Sequence, residues 1–253
     1  MKQYKKNYEL KNAAKDILDG KYGGAVLIFF LSALISGIVR LFISTNLNIT
    51  ANTAYFSTGS QNTSTAISFV FDIIMLAANI VLAVMNAGIT LYFLNAACGQ
   101  RCTMKDLFYG FRTESSKTLT IASALVLCQT FSQWPAQYFL QNYFVDTDVK
   151  WIYYAAAIQF ICWLIFIPIS LGIKLSFFLM LDFPQYSGQE VLSHCWHVMK
   201  GQRTRLFKLE LSFLPLIILC ILSFGIGFLW LNPYMQMTYT CFFLDLMNPK
   251  ETA

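Results

Sequence analysis

Three sets of polar residues interrupt otherwise apolar sequence, and their types and spacing define the chemistry open to this chain. Asp72, Asn79 and Asn86 recur every seven residues, which places them on one stripe of a helix. Gln129, Gln133, Gln137 and Gln141 recur every four residues, and Gln159 falls at similar depth in the next apolar stretch. Polar side chains in lipid are costly and usually face a bundle interior or a water-filled cavity. One reading is interhelical hydrogen bonding, about 0.6 kcal/mol per pair. The sharper one is a polar vestibule open to the outside and leading toward Asp72. The third set, Lys174, Glu210 and Asp245, lies toward the cytoplasmic ends of the late apolar stretches. Snorkelling or a structural ion pair accounts for it, with a coupled ion or proton site as the alternative.

The remaining candidates are weaker. His194 and His197 are the only histidines and flank Cys195. Their spacing suits two metal ligands on one helix face, but no further ligand stands in fixed register, and a headgroup-contacting surface is the simpler reading. Cys98 and Cys102 resemble half a metal site whose second half is absent. No nucleophile elbow, phosphate-binding glycine loop, zinc-protease helix or dinucleotide fingerprint occurs. No catalytic residue, metal or cofactor is therefore expected.

The elements that must position these residues follow from composition. Of 253 residues, 57% are hydrophobic and only 12% charged, against roughly 25% charged in a soluble domain. A span needs about 20 largely apolar residues, and windows near 22–43, 66–97, 118–140, 151–181, 206–224 and 228–247 qualify. The expected fold is all-α, a single polytopic membrane domain over 1–253 with six transmembrane helices and interfacial amphipathic helices on the cytoplasmic side. The net charge of +5 does not indicate nucleic acid, because the basic residues are confined to alternate connections. They precede the first span, fall between Arg101 and Lys117 and between Lys200 and Lys208, and end with Lys250; Arg40, Lys150 and Lys174 are the exceptions. By the positive-inside bias both termini are cytoplasmic. The seven cysteines lie on the reducing side or within spans, so no disulfide is expected.

Along the chain, residues 1–21 read as a basic interfacial helix with Leu10, Ala13, Ala14, Ile17 and Leu18 on one face. An uncleaved first span follows, too long for a signal peptide. From Ser44 to Thr65 the chain is uncharged and rich in Asn, Thr and Ser, an outer loop whose Asn48 and Asn62 match the glycosylation pattern only by composition. The second and fourth spans, at 32 and 31 residues, reach roughly 48 and 46 Å at about 1.5 Å per residue and must overrun the bilayer. Pro135 should kink or end the third. Spans five and six should form a hairpin turning at Gly225-Ile226-Gly227.

Both overlong spans carry a matching tetrad, Gly88-Ile89-Thr90-Leu91 and Gly172-Ile173-Lys174-Leu175. Each is followed by a capping-box pattern, Thr103 with Asp106 and Ser187 with Glu190, and then by a short amphipathic helix. A parallel internal repeat is expected, with the apolar overhang Ile173 to Leu181 packed into a cytoplasmic cap.

Leu181-Asp182-Phe183-Pro184, Met199-Lys200-Gly201, Leu206-Phe207-Lys208-Leu209 and the run from Gly225 and Gly227 to Pro233 and Tyr234 together resemble the bacterial membrane-protein family catalogued as domain of unknown function 975. The resemblance runs from Ala13 to Leu246 and is densest over the last third. It implies a six-span membrane protein without an assigned activity, and marks Asp182, Pro184, Gly201, Gly225, Gly227, Pro233 and Tyr234 as family-motif residues. The leading expectation is a non-enzymatic scaffold or accessory protein of the bacterial cytoplasmic membrane, multi-pass, meeting anionic lipid headgroups or a protein partner at its basic face. The alternatives are a small-solute transporter or channel-like protein and a lipid-active membrane enzyme.

Overall fold

Long apolar segments without charge leave the backbone no partner but itself, and helices are the outcome. The computed structural model describes residues 2–58, 61–146, 148–248 and 250–251, with side chains described over 4–45, 70–140 and 148–248. The chain is all-helical apart from a two-residue antiparallel pair, Lys2–Gln3 with Lys250–Glu251. The helices are α1 (Asn7–Leu18), α2 (Tyr22–Thr58), α3 (Gln61–Ala83) and α4 (Met85–Ala97), then a 3₁₀ turn (Met104–Phe108) and α5 (Tyr109–Arg112). They continue with α6 (Ser115–Asp146), α7 (Lys150–Ile173), α8 (Ser176–Asp182), α9 (Gly188–Val198), α10 (Arg203–Leu211), α11 (Leu214–Leu222) and α12 (Phe228–Met247). Three stretches are long and apolar enough to cross a membrane: Tyr22–Thr45, Val70–Ala97 and Lys150–Asp182. That is the composition of a membrane protein.

Several expected boundaries move. The Ser44–Thr65 segment is not a loop: α2 stays helical to Thr58 and α3 begins at Gln61. The Asn48 and Asn62 side chains lie outside the described ones. α6 passes through Pro135 and continues to Asp146, so this proline neither ends the helix nor sets the outer connection. The remaining changes are breaks. Val84 separates α3 from α4, with i→i−3 bonds from Val84 N–H to Val81 O (3.2 Å) and from Ala87 N–H to Val84 O (3.1 Å). Between α7 and α8, Ser176 Oγ donates back to Ile173 O at 2.5 Å. Between α10 and α11, Ser212 Oγ donates to Leu209 O at 2.6 Å, and Pro215 follows at the start of α11. A serine bonded to its own preceding turn competes with the helix ladder, and proline has no N–H to continue it. The expected fifth span, 206–224, is thus two short helices.

Helix α1 also departs from expectation. Its apolar face, Leu10, Ala14 and Leu18, is fully buried, and it packs along α12. The stripe that suited a lipid surface is covered by protein. Lys11 Nζ reaches across to donate to Ser212 O (2.9 Å) and sits 4.1 Å from the Phe213 ring centroid.

The repeat is visible in packing. A Cβ on Gly88 would lie 2.3 Å from Leu107 O, and one on Gly172 would lie 2.6 Å from the Trp196 ring. Each tetrad glycine therefore lets its helix lie directly against the element that follows its capping box. The two copies differ in size, since the first is only the 3₁₀ turn and α5, while α9 has a full apolar face of Val191, Cys195 and Met199. The overhang forms α8, whose Phe177, Phe178, Leu179 and Met180 are buried against α4, α6 and α9. Burial pushes the Cys195 thiol up to about 11, with a hydrogen bond involving Ser176 acting in the opposite direction.

The α9 capping box is complete. Ser187 N–H donates to Glu190 Oε2 (2.7 Å), and Glu190 N–H donates to Ser187 Oγ (3.4 Å). Ser187→Ala should lower stability by about 0.5–2 kcal/mol, read as a fall in Tm of the detergent-solubilised protein. The backbone bond from Ser187 holds Glu190 below its ordinary value of 4.5. A depressed carboxylate contributes stability that is present above the unfolded value and lost as pH falls through the folded one. Glu190→Gln should therefore flatten the loss of Tm below about pH 4.5.

Candidate functional site

The polar stripes converge on two adjoining chambers. The outer one, about 510 Å³, is lined by Ser32, Ser36 and Arg40 of α2, Met75, Asn79 and Asn86 of α3 and α4, and Gln129, Thr130 and Gln133 of α6, among others. The inner one, about 520 Å³, shares Asn86, Leu125, Gln129 and Gln133 with it and continues past Thr90, Ser132 and Ser170 to Lys174, Glu210, Gln236 and Tyr239. Two cavities with four common wall residues form one crevice, running from Arg40 near the far end of α2's apolar window to Lys174 at the end of α7. Helical spacing explains the lining. Ser32, Ser36 and Arg40 are four apart, as are Gln129 and Gln133, and residues four apart share a helix face.

Lys174 and Glu210 form an ion pair at the inner end. Lys174 Nζ also lies 4.1 Å from the Tyr239 ring centroid, a position that favours a cation. Above the pair, Gln236 Nε2 donates to Thr90 Oγ1 at 3.5 Å, and that hydroxyl donates to Asn86 O at 2.7 Å. Hydroxyl, amide, cation and carboxylate therefore line one wall. Trp163, Phe166 and Phe177 line the same chamber.

Not every expected residue joins this site. Asp72 is exposed and lines neither chamber, so the stripe does not lead to it as expected. Gln137 is exposed and outside both, and the Gln141 side chain lies outside the described ones. Gln159 takes the interhelical role, donating from Nε2 to Ser132 O at 3.4 Å. Asp245 is not grouped with Lys174 and Glu210. It pairs with Arg205 and accepts the Lys5 N–H at 3.2 Å on each carboxylate oxygen, while Arg205 donates to Lys5 O at 2.9 Å. The guanidinium also lies 4.9 Å from the Tyr4 ring and 4.6 Å from the Phe242 ring.

His194 and His197 are spent locally. His194 packs edge-on to Phe183 (5.6 Å) and against Tyr186 (5.5 Å), and His197 Nδ1 is 2.8 Å from Ser193 O. Among the described residues no three His, Cys, Asp or Glu side chains gather as a metal site.

The motif residues take structural positions. Gly201 and Gly225 have φ of +86° and +85°, the left-handed region glycine adopts freely. A Cβ on Gly227 would lie 2.6 Å from Cys220 Sγ. Tyr234 packs edge-on to Phe213 at 5.5 Å, and Pro233 is buried within α12. Pro184 O accepts from Lys117 Nζ, and Asp182 closes α8 at an exposed position.

Ser32, Ser36, Arg40 and Gln236 were not anticipated. The first three carry the same spacing signal as the glutamines, hidden because serines are unremarkable in an apolar helix. Arg205 as the partner of Asp245 has no local signal.

Reversing either charge of the inner pair should cost roughly 1–3 kcal/mol, below the range for fully buried pairs because both side chains keep partial exposure. In Tm measurements the double swap Lys174→Glu with Glu210→Lys should recover most of either single loss. Additive losses would refute the pairing.

Residues 178–250 match the family model described as Protein of unknown function (DUF975). No curated protein and no solved structure matches the chain.

Proposed function

We propose, for a chain whose C-terminal third carries the DUF975 match, that it is a non-enzymatic multi-pass membrane protein that admits a small polar solute into its bundle. The single observation that carries this reading is the pair of chambers with a common wall at Asn86, Gln129 and Gln133. Polar groups inside a membrane bundle are expensive unless they pair with one another or meet water or a ligand. Among the described residues, no hydrogen bond or ion pair is formed by the side chains of Asn79, Gln129 or Gln133 of the crevice. Among the described residues Arg40 has no ion-pair partner, and it gives the outer chamber a cation that neutral or anionic solutes suit.

The inner end is narrowed by Lys174, Glu210, Gln236 and Tyr239, where a charge pair can both bind a polar group and close the path. Opening would require the pair to exchange its internal contact for one with the solute, which is how a closed site couples occupancy to conformation. The sequence's first reading, a scaffold meeting lipid or a partner at its basic face, makes no use of these chambers. The pathway reading does.

Membrane passage is supplied by α2, the α3–α4 pair, α6 and α7. α6 is long enough, and Leu127, Phe131, Trp134 and Tyr138 are exposed along it; among the glutamines that lower its hydropathy, Gln129 and Gln133 line the crevice. An even number of passes leaves both termini on the basic side, which the positive-inside bias makes cytoplasmic.

The test is labelling of intact cells with a membrane-impermeant thiol reagent. Cysteine is introduced singly at Asn79, Gln129 or Gln133 after the native thiols are replaced. All three should react, and added solute that occupies the chamber should slow them. Protection at all three positions would mean a packed bundle and would overturn the pathway.

A further inference from the structure

The ion pair between Glu210 and Lys174 limits how far the α11–α12 hairpin can reach into a bilayer. α7 starts at Lys150 and carries Lys174 roughly 36 Å along its axis at about 1.5 Å per residue. That exceeds a hydrocarbon core of roughly 30 Å, so with Lys150 at the outer face Lys174 lies at the inner boundary. From Glu210 to Phe224 the same rise allows at most roughly 21 Å. The turn at Phe224–Gly227 therefore stops well short of the level of Lys150. The hairpin enters from the inner side and returns, in place of the fifth and sixth crossings expected from hydropathy.

Its construction suits that depth. Gly225 N–H donates to Cys220 O (2.9 Å) and Gly227 N–H to Ser223 Oγ (3.1 Å), so the turn is satisfied internally, as lipid requires. Ile218, Leu219, Ile221, Leu222 and Phe224 are exposed on the hairpin.

Between this hairpin and the corner joining α1 to α2 lies a groove of about 490 Å³ that shares no lining residue with the two chambers. Its ends differ in chemistry. Leu216, Leu219, Trp230 and Leu231 line the part that follows the hairpin, while Lys15 and Tyr22 stand at the other end beside Tyr234. Tyr22 opens the apolar window of α2, which places this end at the inner interface. Lys11, one turn from Lys15, is engaged by Ser212 O and the Phe213 ring. Lys15 is exposed, 5.8 Å from the Tyr234 ring centroid, and among the described residues has no ion-pair partner.

A cation with a tyrosine hydroxyl at the interface, leading into an apolar trough directed toward the bilayer interior, has the polarity of an inner-leaflet lipid. We propose that this groove seats one anionic glycerophospholipid, its phosphate headgroup at Lys15 and Tyr22 and an acyl chain along Leu216, Leu219, Trp230 and Leu231. The site is separate from the solute pathway and does not depend on it.

The test uses the full chain in nanodiscs with Trp230 as its sole tryptophan (W134F, W151F, W163F, W196F). The matrix is phosphatidylcholine containing a minor share of brominated phosphatidylglycerol or brominated phosphatidylcholine. Brominated phosphatidylglycerol should quench Trp230 with about fivefold preference, the size set by one lysine near anionic lipid. K15E should abolish the preference and K15R retain it. Equal quenching by both lipids, or a preference untouched by K15E, would overturn the anionic assignment, and no quenching by either would overturn the groove as a lipid site. Should the single-tryptophan chain fail to fold, native mass spectrometry of the wild-type and K15E proteins reads the same point. Loss of bound phosphatidylglycerol in K15E alone supports the site, and equal retention in both overturns it.

Discussion

The pairing of Arg205 with Asp245 fixes the inner half of this molecule. Asp245 is nearly inaccessible, with 4% of its side chain exposed, and a carboxylate so placed is costly to bury without a countercharge and hydrogen bonds. Arg205 supplies the charge, and the Lys5 N–H supplies two further contacts. Three segments distant in sequence, the stretch at Lys5 after the N-terminal strand, α10 and α12, are thereby held at one point. The antiparallel pairing of Lys2–Gln3 with Lys250–Glu251 continues the same join. With α12 anchored at this end, α1 is directed along it, and the groove beside Lys15 is a consequence of that course.

Helix α12 is in turn the common partner of α4, α8 and the end of α7. Phe243 stacks on Phe178 of α8 at 5.2 Å, Tyr239 lies under Lys174, and Gln236 reaches Thr90 of α4. These contacts form the floor of the inner chamber, so the crevice depends on α12 as much as on the polar stripes above it. A membrane interior strengthens this dependence, since polar groups that lose their partners there have no bulk water to accept them. The same economy of partners explains the three helix breaks, where serine hydroxyls or a short backbone turn take up carbonyls that the interrupted ladder leaves open.

The internal repeat and the anchored C-terminal hairpin divide the labour of the fold. In each repeat a glycine allows its helix to touch the element after the capping box, through Gly88 and Leu107 in one copy and Gly172 and Trp196 in the other. Arg203 covers that tryptophan at 3.6 Å and ties α10 to the second copy. The residues of the family match, 178–250, thus coincide with the cap, the anchor and the hairpin, while the chambers are built largely from the part before it.

Much of this protein was legible in its sequence because the signals are local. Low charge and long apolar runs determined a helical membrane protein, capping residues marked the start of α9, and matched tetrads disclosed the repeat. The seven- and four-residue spacings of Asn79, Asn86, Gln129 and Gln133 identified most of the crevice, since a helix fixes which residues share a face. What the sequence could not decide was which faces meet. The apolar stripe of α1 is equally compatible with lipid and with protein, and only the tertiary structure assigned it to α12. Asp245 was read with Lys174 by proximity to one boundary, yet it pairs with Arg205, 40 positions away. Asp72 continued a perfect heptad and still fell outside the chambers, because periodicity fixes which residues share a face and not how far along that face a cavity extends. Hydropathy likewise read 206–224 as one continuous helix, whereas the chain divides it into α10 and α11 where Ser212 and Pro215 interrupt the ladder.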